Sequence, residues 1–262
     1  MLRFRVINIV FLVILAVSIG LLLLGINALW IFFIACTIAY LVILVFGVVN
    51  VSWQFFMPIT CRLPNTENGI FLSFDDGPQE KTALVLNLLK RHEAKGNFFC
   101  IGRHLEENPR LAQLLVDEGH FIGNHSYSHT ASFPIKSNNS IVDELQKTNA
   151  IIEKRTGELC RLFRPPFGVT NPNIAKAVDQ LNMIVIGWSI RSFDTTDRKG
   201  NKALNKIKMN LKSGDIILLH DHSPQILSIL EELLCFFKDH NFKTLRIDTL
   251  IEKTAVEDQP LL

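Results

Sequence analysis

Two short segments carry the residues of this chain that could do chemistry. Residues 73–78 read Ser-Phe-Asp-Asp-Gly-Pro, and residues 125–129 read His-Ser-Tyr-Ser-His. Two adjacent carboxylates and two imidazoles can bind one divalent metal ion and still leave an acid or base free beside it. The set indicates a hydrolytic site, with zinc as the expected metal and cobalt, manganese or nickel as alternatives.

Each candidate also has a plainer explanation. Asp, Gly and Pro are all turn formers, so residues 75–78 alone could be a turn, and two histidines four apart could be solvated side chains on a helical turn. His220 ends the apolar run 216–219 and could be a satisfied core histidine. Arg164 precedes Pro-Pro-Phe-Gly, where it could lie on the surface or could orient a carboxylate through a bidentate contact.

The elements that must position these residues alternate regularly beyond residue 65. Seven strands alternating with six helices predict right-handed βαβ units and a parallel sheet, open or closed into a barrel. Strands are predicted at 70–74, 97–101, 120–123, 160–163, 183–188, 215–220 and 242–247, and helices near 80–92, 110–118, 140–154, 172–181, 201–212 and 224–239.

The candidate residues all fall at one end of these strands. Asp75 and Asp76 follow the first strand, His125 follows the third, Arg164 follows the fourth and His220 ends the sixth. The carboxyl ends of the strands are where an α/β barrel builds its active site. The strand pattern therefore supports a single site independently of the motifs.

The N-terminus predicts a membrane anchor. No residue between 6 and 49 is charged, and this stretch far exceeds the roughly 7 to 15 apolar residues of a signal peptide. We expect an anchor at 1–64, with transmembrane helices at about 6–24 and 28–49 and an interfacial segment at 50–64. A catalytic domain at 65–252 and a polar tail at 253–262 would follow. One long span or a cleaved signal remains an alternative.

Charge gives the expected location. Arg3 and Arg5 favour a cytoplasmic N-terminus, so two spans would place the catalytic domain on the cytoplasmic face of the bacterial inner membrane. Trp53, Phe55 and Phe56 are typical of an interfacial aromatic belt. The net charge of +2, with dispersed Lys and Arg, argues against a nucleic-acid partner, and the odd count of 5 cysteines does not favour a disulfide framework.

Taken together, the motifs resemble those of the polysaccharide deacetylase family, the NodB homology domain of carbohydrate esterase family four. The resemblance covers roughly residues 69–248 and adds Arg-Pro-Pro-Phe at 164–167 and Leu-Leu-His at 218–220 to the two opening segments. It implies a distorted barrel of the (β/α)7 type, here preceded by a two-helix transmembrane hairpin.

The resemblance also implies roles for the reactive residues. Asp76, His125 and His129 would bind the metal, and Asp75 would be the base that takes a proton from metal-activated water. His220 would be the acid that protonates the departing amine.

Further residues would support this chemistry. By the same resemblance, Arg164 would position Asp75, and Asp194 would orient His220 and stabilise its cationic form. The backbone N–H of Phe167 would hold the developing oxyanion.

The substrate side of the site departs from the family pattern. Trp188 and Leu218 would line a small apolar pocket for the acyl methyl group. Where the family has Asp-x-x-Asp-Trp, this chain has Arg191 and Thr195 at the first and last positions and retains only Asp194. Arg191 could favour an anionic substrate, such as an amino sugar linked to a lipid phosphate, or could simply face solvent.

The expected function is that of a membrane-anchored, metal-dependent hydrolase. Its substrate would be an N-acetylated saccharide or lipid-linked sugar, from which it removes an acetyl or similarly small acyl group. Two other classes remain open: a non-catalytic saccharide-binding or scaffold protein with the same fold, and a non-haem iron oxygenase with two His and one carboxylate. An oxygenase mechanism has no role for Asp75 as a base or for His220 as an acid.

Overall fold

The computed structural model describes residues 2–25, 30–64, 66–197, 199–249 and 251, so the tail expected at 253–262 lies outside the described residues. The helices are α1 Leu2–Leu23, α2 Trp30–Val49, α3 Thr82–Arg91, α4 Gly102–Glu107, α5 Pro109–Asp117, α6 Asn138–Thr156, α7 Pro172–Gln180, α8 Asn201–Asn210 and α9 Ile226–Asp239. The strands are β1 Gly69–Asp75, β2 Gly96–Cys100, β3 Phe121–Asn124, β4 Leu162–Phe163, β5 Ile184–Val185, β6 Ile190–Arg191, β7 Ile216–His220 and β8 Lys243–Thr244.

The strands form one curled, half-barrel sheet with the order β5-β4-β3-β2-β1-β7-β6, and β8 pairs with the start of β1. Neighbouring strands are parallel, which confirms the predicted fold class. The described residues form eight strands, so the expected count of seven is wrong. The strand predicted at 183–188 ends at Val185, and β6 forms separately after a bend at Ser189.

A segment from before the sheet fills the gap between β5 and β6. The backbone N–H of Thr60 donates to Val185 O, and the N–H of Gly187 donates to Thr60 O, each at 2.9 Å. Two residues later, Arg62 pairs with Asp215 at the start of β7. Gly187 is needed here because a Cβ atom would lie 2.7 Å from the Sγ atom of Cys61. Residues 60–62 therefore form a seam that joins the two edges of the half-barrel.

Strand β1 is the centre of the fold. All seven of its residues are buried, as expected for a parallel strand with both faces covered. On one face, its side chains pack with α3, α5, α8 and α9. On the other, Phe71, Phe99 and Phe163 belong to a second core cluster inside the half-barrel. Burying each of these phenylalanines contributes roughly 1.5–3 kcal/mol of hydrophobic stabilisation.

The two N-terminal helices form a hairpin in which most apolar side chains face outward. Both are long and apolar enough to cross a membrane, since the 22 residues of α1 extend about 33 Å. Four polar side chains of the hairpin have internal partners. The Ser18 and Thr37 hydroxyls donate to carbonyls one turn earlier, and Tyr40 on α2 donates to the side chain of Asn8 on α1. Such pairing is what an apolar surrounding requires.

The expected aromatic belt after α2 is wrong for two of its three residues. Phe55 and Phe56 are only 1% and 3% exposed and belong to the second core cluster. The ring of Phe4 on α1 packs against both, with centroids 5.8 and 5.0 Å away, and Trp53 stacks on Phe55. These rings are buried because the start of α1 and the chain after α2 together cover one side of the half-barrel.

Candidate active site

Two neighbouring carboxylates leave the end of β1 in different directions. Asp75 is the last residue of β1 and is aligned with His220 at the end of β7. The next residue, Asp76, has a left-handed backbone (φ 72°), a conformation that Asp tolerates better than most residues. Asp75 therefore faces Arg164, whereas Asp76 faces the histidine segment.

Asp76, His125 and His129 bring three ligand atoms together. The Oδ1 atom of Asp76 lies 3.5 Å from Nε2 of His125 and 3.4 Å from Nε2 of His129. Ligand atoms bound tetrahedrally to zinc are separated by roughly 3.3 Å, since the bonds are about 2.0–2.1 Å long. The spacing and the donor types therefore fit a divalent metal with open coordination positions.

The ring orientation of His125 also suits a ligand. Its Nδ1 atom lies 2.7 Å from the backbone carbonyl of Arg164 and donates to it, which leaves Nε2 facing Asp76. A hydrogen bond of this kind fixes the tautomer of a metal-binding histidine. This hydrogen bond orients the buried His125 ring with Nε2 toward Asp76.

The histidine segment is not a helical turn, so the plainer explanation of two solvated side chains on such a turn does not apply. Ser126 and His129 both have left-handed backbones (φ 63° and 46°), which fold residues 125–129 into a tight loop. Asn124, the last residue of β3, accepts the N–H of Ser126 at 2.8 Å. The loop brings both imidazoles to the same side because of these turns and not because of helical spacing.

Glu144 on α6 holds this loop, a contact that no motif or spacing indicates. One carboxylate oxygen accepts the backbone N–H groups of Tyr127 and Ser128 at 3.1 and 2.8 Å. The other accepts the Ser128 hydroxyl at 2.6 Å and pairs with Lys136. Partial burial disfavours the charged carboxylate of Glu144. The contacts with Lys136 and Ser128 outweigh this effect and lower the pKa of Glu144 below its usual value.

Arg164 is buried and holds Asp75 through one hydrogen bond. Its Nη1 atom donates to Oδ1 of Asp75 at 2.7 Å and to the Ser73 hydroxyl at 2.8 Å. Its other nitrogens donate to the carbonyls of Ile186 and Gly187. The predicted bidentate contact with a carboxylate is therefore wrong. The remaining guanidinium donors bind the backbone carbonyls that directly follow β5.

His220 and Asp194 form a dyad on the other side of Asp75. Oδ1 of Asp194 lies 3.0 Å from Nδ1 of His220, and its Oδ2 accepts the His220 backbone N–H at 2.9 Å. Ser192 donates its hydroxyl to the same carboxylate. Burial disfavours the cationic imidazole, but the hydrogen bond and charge of Asp194, together with Asp75 and Asp76, outweigh it and raise the pKa of His220.

The three ligand side chains and their charged neighbours shift one another's pKa values. Burial opposes the ionised form of Asp76, but His125, His129 and His220 outweigh it and lower the pKa of that carboxyl. Burial likewise disfavours charge on His125, while Asp75 and Asp76 reverse this and raise its pKa. Burial, followed by repulsion from His125, lowers the pKa of His129 to about 4.

The Phe167 loop lies beside the histidines. Phe167 has a left-handed backbone (φ 59°), and its ring centroid is 4.5 Å from that of His129. Within the described residues, its backbone N–H has no hydrogen-bond partner, so it can donate to a substrate oxygen. Trp188 packs directly on Gly168, and both Trp188 and Leu218 are buried, which suits the expected apolar wall.

Arg191 lies on an aromatic shelf next to the dyad. Its guanidinium is 5.7 Å from the Trp188 ring centroid and 4.9 Å from that of Phe193, and the ammonium of Lys206 is 4.3 Å from the Phe193 ring. Phe193 is 46% exposed. The shelf therefore presents one exposed aromatic ring and two cationic side chains beside the His220–Asp194 dyad.

Two further groups near the site were not predicted. His222 has its Nδ1 atom 3.8 Å from Oδ2 of Asp76, and its position two residues after His220 was the only available signal. Asp221 is buried beneath Gly77 and accepts the Thr82 hydroxyl. Burial raises the pKa of Asp221 to about 7, and the charge of Asp76 adds to the effect.

Comparisons with known proteins agree with this geometry. A family model described as polysaccharide deacetylase matches residues 62–186. The peptidoglycan-N-acetylmuramic acid deacetylase of Bacillus subtilis is 34% identical over 72% of this chain and 74% of its own length. The peptidoglycan-N-acetylglucosamine deacetylase of Listeria monocytogenes is 29% identical over 78% of this chain, and the match spans only 44% of that protein.

A solved structure gives the same result at the level of the fold. A family 4 carbohydrate esterase pseudoenzyme from Bacillus anthracis superposes with a TM-score of 0.66 and 30% identity, over 72% of this chain and 67% of the other. Identity and coverage at these levels, together with the matching motifs, show common membership. The chain belongs to the polysaccharide deacetylase family.

Proposed function

We propose that this protein hydrolyses the amide bond of an N-acetylated, or similarly N-acylated, amino sugar in a saccharide or glycolipid. The observation that carries the proposal is the division of two adjacent carboxylates. Asp76 faces two histidines, while Asp75 is held by Arg164 beside the His220–Asp194 dyad. A metal site, a separate base and a separate acid are what amide hydrolysis needs.

Asp76, His125 and His129 would hold the divalent metal. When bound, such an ion lowers the pKa of water and polarises a carbonyl oxygen. Zinc suits one carboxylate and two imidazoles, and cobalt, manganese or nickel could replace it.

The residues of the chain would perform the proton transfers. Asp75 takes a proton from the attacking water as its oxygen bonds to the carbonyl carbon, and the Phe167 N–H stabilises the negative oxygen. His220 then donates a proton to the amide nitrogen as the carbon–nitrogen bond breaks. The products are a carboxylate and an amine. Asp194 keeps His220 oriented and favours its charged form.

Family membership alone does not establish activity, since one structural relative is described as a pseudoenzyme. Support for catalysis comes from this chain's own residues. Asp75, Asp76 and His220 are all present and lie together, and a purely saccharide-binding role gives the buried Arg164–Asp75 pair and the His220–Asp194 dyad no task. An iron oxygenase would leave the same groups unused.

The variant Asp75→Asn tests the mechanism. Because Asp75 does not belong to the metal set, we expect zinc content to stay at wild-type level while amine release from N-acetylated chitooligosaccharides falls by about 10²- to 10⁴-fold. Zinc is measured by elemental analysis and amine by derivatisation of the product. The control is Asp239→Asn, because the Asp239 carboxylate is exposed, and this variant should keep both the wild-type zinc content and the wild-type rate of amine release. Full activity in Asp75→Asn would refute the assignment of the base.

The substrate proposed for the aromatic shelf is anionic. Arg191 and Lys206 add two positive charges beside Phe193, where a sugar ring could stack and a phosphate or carboxylate could pair. In Arg191→Ala, we expect kcat/KM for a phosphorylated N-acetyl amino sugar to fall about tenfold relative to its neutral counterpart. Competition between the two substrates measures this ratio. An unchanged ratio would remove the role of Arg191.

A further inference from the structure

The end of helix α2 is joined to a loop of the proposed active site. The backbone N–H of Thr170 donates to Val48 O at 2.9 Å, and its hydroxyl donates to Gly47 O at 3.4 Å. The last carbonyls of a helix have no partners within it, so Thr170 supplies partners at this end of α2. Phe167 lies three residues earlier in the same loop. The apolar hairpin and the catalytic loop are thus hydrogen-bonded to each other.

The start of α1 is attached to the same part of the domain. Arg3 donates to the backbone carbonyl of Trp53 at 2.7 Å, and Phe4 packs on Phe55 and Phe56. The chain between α2 and the sheet is itself part of the second core cluster, since Val51, Met57 and Ile59 are buried there. An extended linker would add about 3.3 Å of reach per residue. This packed segment adds little, so the domain stays close to the hairpin.

The hairpin meets the sheet at the carboxyl ends of its strands, and the proposed site lies at the same end of the sheet. Thr170 follows the carboxyl end of β4, just as Asp75 ends β1 and His220 ends β7. Beside Thr170, the side chain of Asn171 donates to Pro134 O, and the neighbouring Ile135 is 85% exposed. An isoleucine this exposed, on a segment joined through Asn171 and Thr170 to the end of an apolar helix, is suited to the boundary between lipid headgroups and acyl chains.

We propose that this edge lies against the bilayer and that the site accepts N-acyl amino sugars carried on lipids of the same membrane. The inference rests on the proposed deacylation. Ile135 and the half-exposed ring of Phe167 contact the bilayer surface, and the catalytic groups lie within reach of a lipid headgroup. Arg191 supplies a counter-charge for a phosphate that joins sugar to lipid. A polymer far from the membrane stays out of reach.

Two substrates with the same head test this proposal on the full-length protein in anionic phospholipid vesicles. One is N-acetylglucosamine phosphate esterified to a long isoprenoid, and the other is the same sugar phosphate esterified to a short, water-soluble alkyl chain. The variant Ile135→Asp places a negative charge at the proposed contact. The matched control is Leu159→Asp, because Leu159 is 69% exposed but precedes β4 at the opposite edge of the sheet.

The measured quantity is the ratio of the initial rates on the two substrates. We expect Ile135→Asp to lower the ratio of lipid-borne to soluble turnover about fivefold, since one charge near an anionic surface is worth about 1 kcal/mol. Leu159→Asp should leave the ratio at its wild-type value, and turnover of the soluble substrate reports an intact fold. Equal ratios in both variants, with both substrates turned over, would overturn this inference alone. Turnover of neither substrate by the wild type would overturn the proposed function and this inference with it.

Discussion

Adjacent aspartates can serve two roles only if their side chains point to different partners. The sequence places Asp75 and Asp76 side by side but does not specify which carboxylate faces the histidines. The left-handed backbone of Asp76 makes that division, together with a buried Arg164 that neutralises Asp75. Removing either partner of such a buried pair destabilises the folded state by about 3–5 kcal/mol. The pair therefore positions Asp75 and is also required for the stability of the fold.

The dyad gives a pH dependence whose sign can be stated. His220 must be protonated to act as an acid, and Asp194 helps to raise the pKa of that imidazole above its usual value. Activity should therefore be lost as pH rises through the His220 pKa. In Asp194→Asn, the alkaline limb of the kcat/KM profile should move to lower pH, and kcat at neutral pH should fall roughly 10- to 100-fold. An alkaline limb at the wild-type position would show that His220 is not the titrating acid.

At the scale of elements, the sheet gathers the site because parallel strands end at one edge. The alternation of short apolar runs with helical patterns was enough to predict β1, β7 and the helices that flank them. Two short elements were missed, α4 at Gly102–Glu107 and β6 at Ile190–Arg191. Neither is long enough to show a hydrophobic period, and β6 is separated from β5 by the bend at Ser189.

Helix α6 supports the metal set through a contact that no local pattern reveals. In Glu144→Gln, the loop of residues 125–129 loses a charged acceptor for two backbone N–H groups, so we expect zinc affinity to fall about 10- to 100-fold. Competition with a chromophoric chelator measures this affinity. Asp143→Asn, which changes an exposed neighbour on the same helix, should bind zinc as the wild type does. Equal affinity in both variants would mean that the loop holds its shape without Glu144.

At the scale of the whole molecule, the two apolar helices favour an uncleaved hairpin that returns the chain to its starting side. Arg3 and Arg5 then predict a cytoplasmic catalytic domain. We expect reporters fused after Arg62 and after Leu262 both to be active only in the cytoplasm, and an N-terminal tag to remain on the mature protein. Both reporters active outside the membrane would refute the cytoplasmic orientation, and loss of the tag would indicate cleavage.

The sequence was informative where chemistry or periodicity is local and uninformative where the two halves of the chain meet. The motifs led to Asp76, His125, His129 and His220 through a family resemblance. They gave no indication that Phe55 and Phe56 would pack inside the domain, because an aromatic run after an apolar helix reads equally well as a membrane interface. Their burial in the second core cluster, where Phe4 packs against them from about fifty residues away in the chain, distinguishes the two.

The seam at residues 60–62 also has a consequence for the order of folding. Thr60 leaves the ribosome long before its partners Val185 and Gly187, so the half-barrel cannot be joined there until most of the chain has been synthesised. Contacts of such long sequence separation form late because loop closure must be paid for first. During translation, an inserted hairpin would hold Thr60 at the membrane surface while the later strands assemble against it.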